Sequence, residues 1–486
     1  MTNSHIVIHN FFWRFLERCG AQGVTFIVSI VLARVLDPTV YGTVALVTVF
    51  TTILQVFVDS GMGSALIQKK DADDLDFSSV FYFNMAMCSV LYIIMFLIAP
   101  LIASFYETPE LTPIVRVVSL ILIISGVKNV QQAYVSRHML FKRFFFATLG
   151  GTIGAAVIGI VMAYKGFGVW ALVAQMLFNA AIDTLILWIT VKWRPKKVFS
   201  FARLKGLFSF GWKLLVSKLI DTVYNDIRQL IIGKIYSKND LAQYNQGKRF
   251  PNFIVTNINT SIDSVLLPTM SRVQDSTNTV RNMTRRAIKT STYIMMPFMV
   301  GLAVCAKPLV SLILTDKWLP CVPFLRIFCF TYAFLPIHTA NLNAIKAMGR
   351  SDMFLILEII KKVIGTIAIV STMFISVEAM AYSFLVTSVL SQIINSWPNR
   401  KLLGYSYENQ IMDMLPQIFL SAFMGAVVYC VQLIGLGSLL TLIIQVPVGI
   451  IVYYLGSKIF HIDSYDYLVS TVKGLFGKKK KKEVSE

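Results

Sequence analysis

Residues 77–105 read FSSVFYFNMAMCSVLYIIMFLIAPLIASF, a run of 29 residues without a single Asp, Glu, Lys or Arg. A helix needs roughly 20 mostly apolar residues to cross the hydrocarbon core of a bilayer, so this run is long enough to do so. Similar runs recur along all 486 residues, of which 56% are hydrophobic and only 14% charged. A typical soluble domain carries about 25% charged residues. The sequence therefore predicts an all-α polytopic membrane protein.

The same apolar pattern, followed outward from this run to both ends of the chain, predicts fourteen transmembrane helices. Two of the predicted spans, 207–236 and 252–271, are rich in polar residues, and the connection between them, 237–251, is the longest predicted outer loop. The other predicted spans are 11–35, 41–66, 77–105, 114–135, 144–163, 168–191, 290–314, 322–345, 353–375, 377–398, 412–433 and 437–457.

The Lys and Arg residues of the connections are distributed unevenly between the two sides. One set of alternate connections carries 27 of them and the other set carries 5. Because positive residues accumulate on the cytoplasmic side, we predict a multi-pass protein of the bacterial inner membrane with both termini in the cytoplasm. The net charge of +20 then reflects topology rather than nucleic-acid binding. The lysine-rich tail follows an amphipathic stretch at 465–476 and suits an anionic lipid surface.

A weak internal repeat relates the two halves of the chain. The dipeptide Trp-Arg opens the first predicted span and Trp-Lys opens the seventh, and LARVLDPTVYG at 32–42 resembles IGKIYSKNDLAQYN at 232–245. Six spans separate the copies, so both have the same orientation, as in transporters with parallel repeats and a substrate path between them. The predicted organisation is an N-terminal six-helix lobe (1–195), a basic cytoplasmic linker (196–206), a C-terminal six-helix lobe (207–400), two additional transmembrane helices (401–458) and a basic cytoplasmic tail (459–486).

The seventh predicted span, LFSFGWKLLVSKLIDTVYNDIRQLIIGKIY (207–236), carries charges that a lipid-facing helix would not. Each Lys, Arg or Asp at the centre of a spanning helix costs about 2.5–3.5 kcal/mol, against roughly −0.5 kcal/mol for each Leu, Ile, Phe or Val. Charges inside a membrane usually face a cavity and mark a substrate or ion path. At 100° per residue, one polar stripe of this helix contains Lys213, Ser217, Asp221, Tyr224 and Arg228, with Lys218, Asn225 and Gln229 beside it.

Other predicted spans also carry polar stripes or isolated charges, and within the spans cations exceed anions. A cavity lined by these cations favours an anionic substrate, since phosphate and pyrophosphate bind Arg and Lys well. We assign a cationic substrate-binding cavity to Arg14, Arg18, Lys213, Lys218, Arg228, Arg116 and Lys128. Candidate carboxylates for coupling to an ion are Glu17, Asp221, Asp226, Asp263 and Glu358.

Interhelical salt bridges are the alternative explanation for the same charges. Glu17 with Arg18 and Glu358 with Lys362 are examples of pairs that would hold a helix bundle together without touching a substrate. Asp59, just before the sequence GMG at a predicted cytoplasmic helix end, is interpreted as an interface residue rather than as part of a site.

Three segments carry a resemblance to a known family. They are FFWRFLERCGAQGVTFIVSIVLARVLDPTVYG (11–42), GMGSALIQKK (61–70) and LTDKWLPCVPFLRIF (314–328), and the likeness covers nearly the whole chain. The chain resembles the Wzx-type polysaccharide flippases, most closely the WzxC/TuaB-like branch of the polysaccharide transport family in the MOP flippase superfamily.

The resemblance implies two six-helix lobes plus two extra helices, the MOP flippase fold, working by alternating access. It also implies that an undecaprenyl-pyrophosphate-linked oligosaccharide repeat unit is moved from the inner to the outer leaflet, for exopolysaccharide, O-antigen lipopolysaccharide or capsule biosynthesis. In this family charged residues of both lobes line the cavity, and the positions here that match are Arg14, Glu17, Arg18, Lys213, Lys218, Asp221 and Arg228.

Other functions stay open as alternatives. A multidrug or other small-molecule exporter of the same superfamily is one, although a pump for cationic drugs would show the opposite charge bias. A membrane enzyme of polysaccharide assembly would need a sizeable outer loop or an acidic metal-binding motif, and a scaffold would not need charges in the middle of helices. We therefore predict a transporter rather than an enzyme, with no cofactor and no metal site, and with H+ or Na+ as candidate coupling ions. Membrane lipids and the polysaccharide polymerase and export proteins are the further expected partners.

Overall fold

Helices make up all the regular structure in the part of the chain that the computed structural model describes, which is residues 20–59, 62–69, 71–138 and 140–470. A 3-10 helix, Asp316–Cys321, lies between α12 and α13, and a further helical stretch covers 463–470. In chain order the α-helices are α1 Gly20–Val35, α2 Pro38–Asp59, α3 Met62–Gln68, α4 Asp74–Phe105, α5 Leu111–Val118, α6 Leu120–Arg137, α7 Phe141–Tyr164, α8 Val169–Thr190, α9 Phe201–Ile235, α10 Lys238–Ser271, α11 Thr277–Val304, α12 Ala306–Leu314, α13 Val322–Ala333, α14 Leu335–Ala347, α15 Ser351–Thr372, α16 Val377–Leu402, α17 Tyr407–Leu433 and α18 Ser438–Ile459.

Ten helical segments of the described chain are long and apolar enough to cross a membrane. Two of the ten combine neighbouring helices, α5 with α6, and the 3-10 helix with α13 and α14. Helices α9, α10 and α15 fall outside the ten because charged and polar residues interrupt them, and the described part of the first predicted span, α1, is short. The prediction of an all-α, multi-pass membrane protein is confirmed, whereas the count of fourteen spans stays a prediction.

The prediction of a loop at 237–251 is wrong, because α10 begins at Lys238 and residues 238–251 are helical. Ser237 Oγ accepts a hydrogen bond from the backbone N–H of Asp240 at 3.1 Å, and Asp240 Oδ2 accepts one from the backbone N–H of Ser237 at 3.2 Å. This reciprocal capping satisfies N–H groups that the start of a helix leaves without partners. Helix formation can therefore resume directly after the turn.

The turn between α9 and α10 repeats the turn between α1 and α2. Residues 36–37 separate the first pair of helices, and 236–237 separate the second, 200 positions later. Small residues let the two turns approach each other closely. A Cβ atom on Gly42 would lie 1.9 Å from the carbonyl oxygen of Lys238, and one on Gly233 would lie 2.1 Å from a leucine methyl of α2. A larger side chain at either glycine would force the helices apart.

Contacts between residues divide the chain into two compact units, Met1–Ala242 and Gln243–Glu486, here called unit 1 and unit 2. Unit 1 includes α9, which the sequence assigned to the second lobe (207–400). At one end of α9, Arg203 Nη1 lies 3.4 Å from Asp76 Oδ2 on α4. At the other end, Lys234 Nζ lies 3.0 Å from Glu107 Oε1, just beyond α4. The division into lobes at 196–206 stays a prediction, whereas these contacts attach α9 to unit 1.

Residues 191–200, which include the first part of the predicted linker (196–206), are not helical and lie against the first turns of α4, whereas 201–206 already belong to α9. Lys196 Nζ is 2.6 Å from Asp74 Oδ2, and the Trp193 indole N–H donates to the other oxygen of that carboxylate at 3.1 Å. The backbone N–H groups of Lys196 and Ser200 donate to two serine hydroxyls of α4 at 3.0 and 2.9 Å. Trp193 is buried in a core shared with α3, α4, α6, α8 and α9. The linker is thus a packed part of unit 1.

Unit 2 contains a network of buried amide side chains on α14, α16 and α17. Asn341 Nδ2 donates to Gln410 Oε1 at 2.9 Å, and the amide nitrogens of Gln410 and Asn399 donate to Asn341 Oδ1 at 3.1 and 2.7 Å. All three side chains are fully buried. Because a buried amide without a hydrogen bond is costly, the network favours one relative placement of the three helices.

An arginine–carboxylate pair joins α11 to α17 in unit 2. Arg285 Nε and Nη2 each lie 2.6 Å from one oxygen of Asp413, the bidentate geometry that makes such pairs strong. The Tyr405 hydroxyl donates to Asp413 Oδ2 at 2.8 Å, and burial, followed by the charge of Asp413, raises the pKa of Tyr405 above its usual value. Further along α11, Lys289 Nζ lies 2.6 Å from Asp463 Oδ2. Ion pairs therefore join α11 both to α17 and to Asp463, near the start of the predicted tail (459–486).

The segment LTDKWLPCVPFLRIF (314–328), one of the three that carry the family resemblance, packs closely against α10. Trp318 and Cys321 are fully buried, and a Cβ atom on Gly247 of α10 would lie only 2.6 Å from Phe324 Cβ. The absence of a side chain at Gly247 lets α10 lie directly against this segment within unit 2.

Candidate functional site

Helix α9 carries exposed polar side chains although its 35 residues, about 52 Å long, are enough to cross a bilayer. The exposed residues repeat at intervals of one helical turn and so lie on one face. We call this face the α9 stripe, and it consists of Ser217, Lys218, Asp221 and Asn225.

The exposed stripe is shorter than the one predicted from the sequence. Arg228, predicted to line the cavity, is buried with only 4% of its surface exposed, because the C-terminal half of α9 packs within unit 1. Tyr224 is half-buried. Lys213 belongs to α9, but its side chain lies outside the part of the chain that the structure describes, as do Arg14, Glu17 and Arg18.

Lys218 forms an ion pair with a carboxylate that the sequence analysis did not place in the site. Its Nζ lies 2.6 Å from Oδ2 of Asp59, in the last turn of α2, and the two side chains are 56% and 40% exposed. The Gln55 amide donates to Asp59 Oδ1 at 3.4 Å. Exposed ion pairs contribute only about 0–1 kcal/mol to stability, so folding alone does not account for two charges at this position. Asp59 and Lys218 are 159 residues apart, and no spacing rule connects them.

Lys128 has a different environment, although its partner is also an aspartate. Its Nζ lies 3.0 Å from Asp183 Oδ2, between α6 and α8, and the side chains are only 20% and 12% exposed. The Lys128–Asp183 pair therefore has the geometry of an interhelical salt bridge, which was the alternative to substrate binding for the charges in the predicted spans. Arg116, another predicted cation of the cavity, donates through Nε to the Phe96 carbonyl at 3.2 Å, and its guanidinium lies 4.1 Å from the centre of the Phe96 ring.

The predicted ion-coupling carboxylates fall into two groups. Asp221 and Asp263 are exposed, and Asp263 Oδ1 accepts a hydrogen bond from Asn343 Nδ2 at 2.9 Å. Glu358 Oε1 lies 2.6 Å from Nζ of Lys361, three residues further along α15. Asp226 Oδ1 accepts from the amide of the neighbouring Gln229 at 2.8 Å. The first group is exposed, while Glu358 and Asp226 each contact a side chain on their own helix.

A second exposed polar face lies on α10, within unit 2. We call it the α10 stripe, and it consists of Asn252, Thr256, Thr260 and Asp263. Three of its four members are neutral hydroxyl or amide groups, so its chemistry differs from that of the α9 stripe. The sequence signal was available, because these residues follow one another at helical spacing in a predicted span that is rich in polar residues.

Among the residues that the structure describes, no three His, Cys, Asp or Glu side chains are grouped so that they could hold a metal ion. The α9 stripe offers an ammonium, a carboxylate, a hydroxyl and an amide, and the α10 stripe offers hydroxyls, an amide and a carboxylate.

A family model described as "Polysaccharide biosynthesis protein" matches residues 31–323. Among curated proteins, the chain is 24% identical to the "Succinoglycan biosynthesis transport protein ExoT" of Rhizobium meliloti (strain 1021), over 83% of this chain and 80% of that protein. It is 21% identical to the "Lipopolysaccharide biosynthesis protein WzxC" of Escherichia coli (strain K12), over 88% of both chains.

Solved structures with the same fold include a lipid II flippase, MurJ. It superposes with a TM-score of 0.75 at 16% identity, over 95% of this chain and 99% of that chain. An inward-facing multidrug resistance MATE transporter of the MOP superfamily superposes with a TM-score of 0.63 at 15% identity, over 80% of this chain and 98% of that one. These likenesses show that the chain has the MOP fold.

Proposed function

Since the chain belongs to the polysaccharide biosynthesis protein family, we propose that it is a flippase that moves a lipid-linked oligosaccharide across the membrane. The substrate is a repeat unit attached through pyrophosphate to a polyprenol such as undecaprenol, carried from the cytoplasmic to the outer leaflet by alternating access. The relatives that are named for polysaccharide biosynthesis and transport support this assignment. The protein then acts as a transporter in the inner membrane, with both termini in the cytoplasm, and not as an enzyme.

The observation that carries the proposal is the α9 stripe. Lys218 and Asp221 are exposed within a helix that is long enough to span the membrane, where a charge facing lipid would be costly. Charges at this depth are tolerated when they face a hydrated path. A lysine ammonium binds phosphate as a point charge, so Lys218 is the described cation best placed to hold the pyrophosphate.

The side chains of the α10 stripe are chemically suited to contact the glycan part of the substrate. Its threonine and asparagine side chains both donate and accept hydrogen bonds, as sugar hydroxyls do. A neutral polar surface of this kind can hydrogen bond with a sugar without holding it by charge. We infer that the α10 stripe contacts the oligosaccharide, and that Asp221 or Asp263, the exposed carboxylates, are the candidates for binding a coupling H+ or Na+.

The test is leaflet-resolved accumulation of prenyl-pyrophosphate-linked repeat units in a deletion strain. The strain is complemented with the wild type, with the double variant Lys218→Gln/Asp221→Asn, or with Lys192→Gln as a control that removes an exposed cation outside both stripes. We expect the deletion and the double variant to trap repeat units on the cytoplasmic face, and the wild type and the control to release them. If repeat units reach the outer face without the protein, the flippase proposal is wrong and export of another small molecule becomes the leading alternative.

A further inference from the structure

The ion pair between Lys218 and Asp59 lies where the second predicted span (41–66) comprises two helices, α2 ending at Asp59 and α3 beginning at Met62. Polar side chains gather there. The Asn129 amide of α6 donates to the Val58 carbonyl at 3.4 Å, in the last turn of α2. Both charged side chains are substantially exposed, so neither is enclosed by the protein.

In this state Asp59 neutralises the cation that the proposed function requires. A ligand anion must compete with the Asp59 carboxylate for the Lys218 ammonium. It binds strongly only if its own attraction to the ammonium exceeds that of the carboxylate. A diphosphate ester has more negative charge and more acceptor oxygens than a single carboxylate, so it can compete for the lysine. A monophosphate, a sugar acid or a neutral glycan competes less well.

Resting on the proposed function, we propose that Asp59 is a counter-ion that competes with the substrate diphosphate for Lys218 and so sets the affinity of the site for anions. Its presence lowers the affinity for every anion by a similar factor, so that only anions that bind Lys218 strongly are retained at a given concentration. After translocation, re-formation of the Lys218–Asp59 pair favours release of the product. Asp59 thereby sets both the threshold for binding and the rate of release.

The experiment measures binding of farnesyl diphosphate and farnesyl monophosphate to the full chain in nanodiscs of zwitterionic lipid. We expect Asp59→Asn to tighten binding of the diphosphate about fivefold, the factor that corresponds to loss of one competing exposed ion pair. Binding of the monophosphate should tighten by a similar factor, because both ligands compete with the same carboxylate, but its affinity should stay below that of the diphosphate. Lys218→Gln should weaken diphosphate binding, and Asp59→Asn should have no further effect in that background.

The matched control is Glu107→Gln, which removes the carboxylate partner of another α9 lysine, Lys234. Lys234 lies about 24 Å from Lys218 along the helix, so this variant should leave both affinities unchanged. If Asp59→Asn does not fold, Asp59→Ser removes the same charge with a smaller side chain. Unchanged or weaker diphosphate binding in a folded Asp59 variant overturns the proposal. Failure of the wild-type protein to bind farnesyl diphosphate would instead count against the proposed substrate.

Discussion

Two lysine–aspartate pairs of unit 1 have the same chemistry and opposite environments. Lys128 and Asp183 are largely enclosed between α6 and α8, whereas Lys218 and Asp59 are about half exposed. The sequence analysis treated both lysines alike, as cations of a substrate cavity. The difference in burial separates them, because a buried pair holds helices together while an exposed one is available to a ligand.

The largest effect is expected when the enclosed pair is broken. Lys128→Met leaves the Asp183 carboxylate buried without its partner, and breaking a buried ion pair typically costs about 3–5 kcal/mol. We expect a corresponding fall in the free energy of unfolding of the purified protein, measured by chemical denaturation in detergent micelles. The double variant Lys128→Met/Asp183→Leu should recover most of the loss, since both charges are gone. Recovery of transport together with stability would confirm that the pair is structural.

At the exposed Lys218–Asp59 pair we expect a smaller loss of stability than at the Lys128–Asp183 pair, and a direct effect on transport. Lys218→Gln should change the free energy of unfolding by no more than about 1 kcal/mol. Transport should fall about tenfold at low substrate concentration, if the lysine contributes about 1.4 kcal/mol to binding. The outer-leaflet fraction of lipid-linked repeat units in a complemented strain measures this. A loss of stability as large as that of Lys128→Met would remove the distinction between the pairs.

The smallest effect is expected at an ion pair within one helix. Glu358 and Lys361 are three residues apart on α15, and their side chains are 29% and 15% exposed. Helical pairs at this spacing contribute about 0.2–0.5 kcal/mol. Glu358→Gln should therefore alter the unfolding free energy only slightly and leave transport intact. A strong transport defect without unfolding would show instead that Glu358 binds the coupling ion, as the sequence analysis allowed.

Fold class and most helix positions followed from the sequence, because apolar run length is a local property. The segment 77–105, for example, lies within α4, Asp74–Phe105. The loop prediction at 237–251 failed for a local reason as well, since polar residues were interpreted as loop although Ser237 and Asp240 form a helix cap. A polar helix and a loop have similar hydropathy, and the capping residues were the only signal that separated them.

The candidate site was less predictable, because partners distant in sequence decide the role of a charge. Helical periodicity identified the face that carries Lys218 and Asp221, and that face is exposed. It could not reveal that Arg228, two turns further along, is buried. Nor could it match Lys218 to Asp59 or Lys128 to Asp183, since tertiary packing alone brings these residues together.

The contacts between α9 and the earlier helices have a consequence for how the chain is assembled during synthesis. Asp59 and Glu107 enter the membrane on or next to α2 and α4, long before Lys218 and Lys234 are translated. A nascent chain that has reached only the linker therefore carries carboxylates whose cations do not yet exist. Helix α9 supplies the lysines that pair with these carboxylates. We therefore expect a fragment ending near residue 242, which contains α9, to accumulate as an inserted, protease-resistant species. A fragment ending near residue 195 should be degraded.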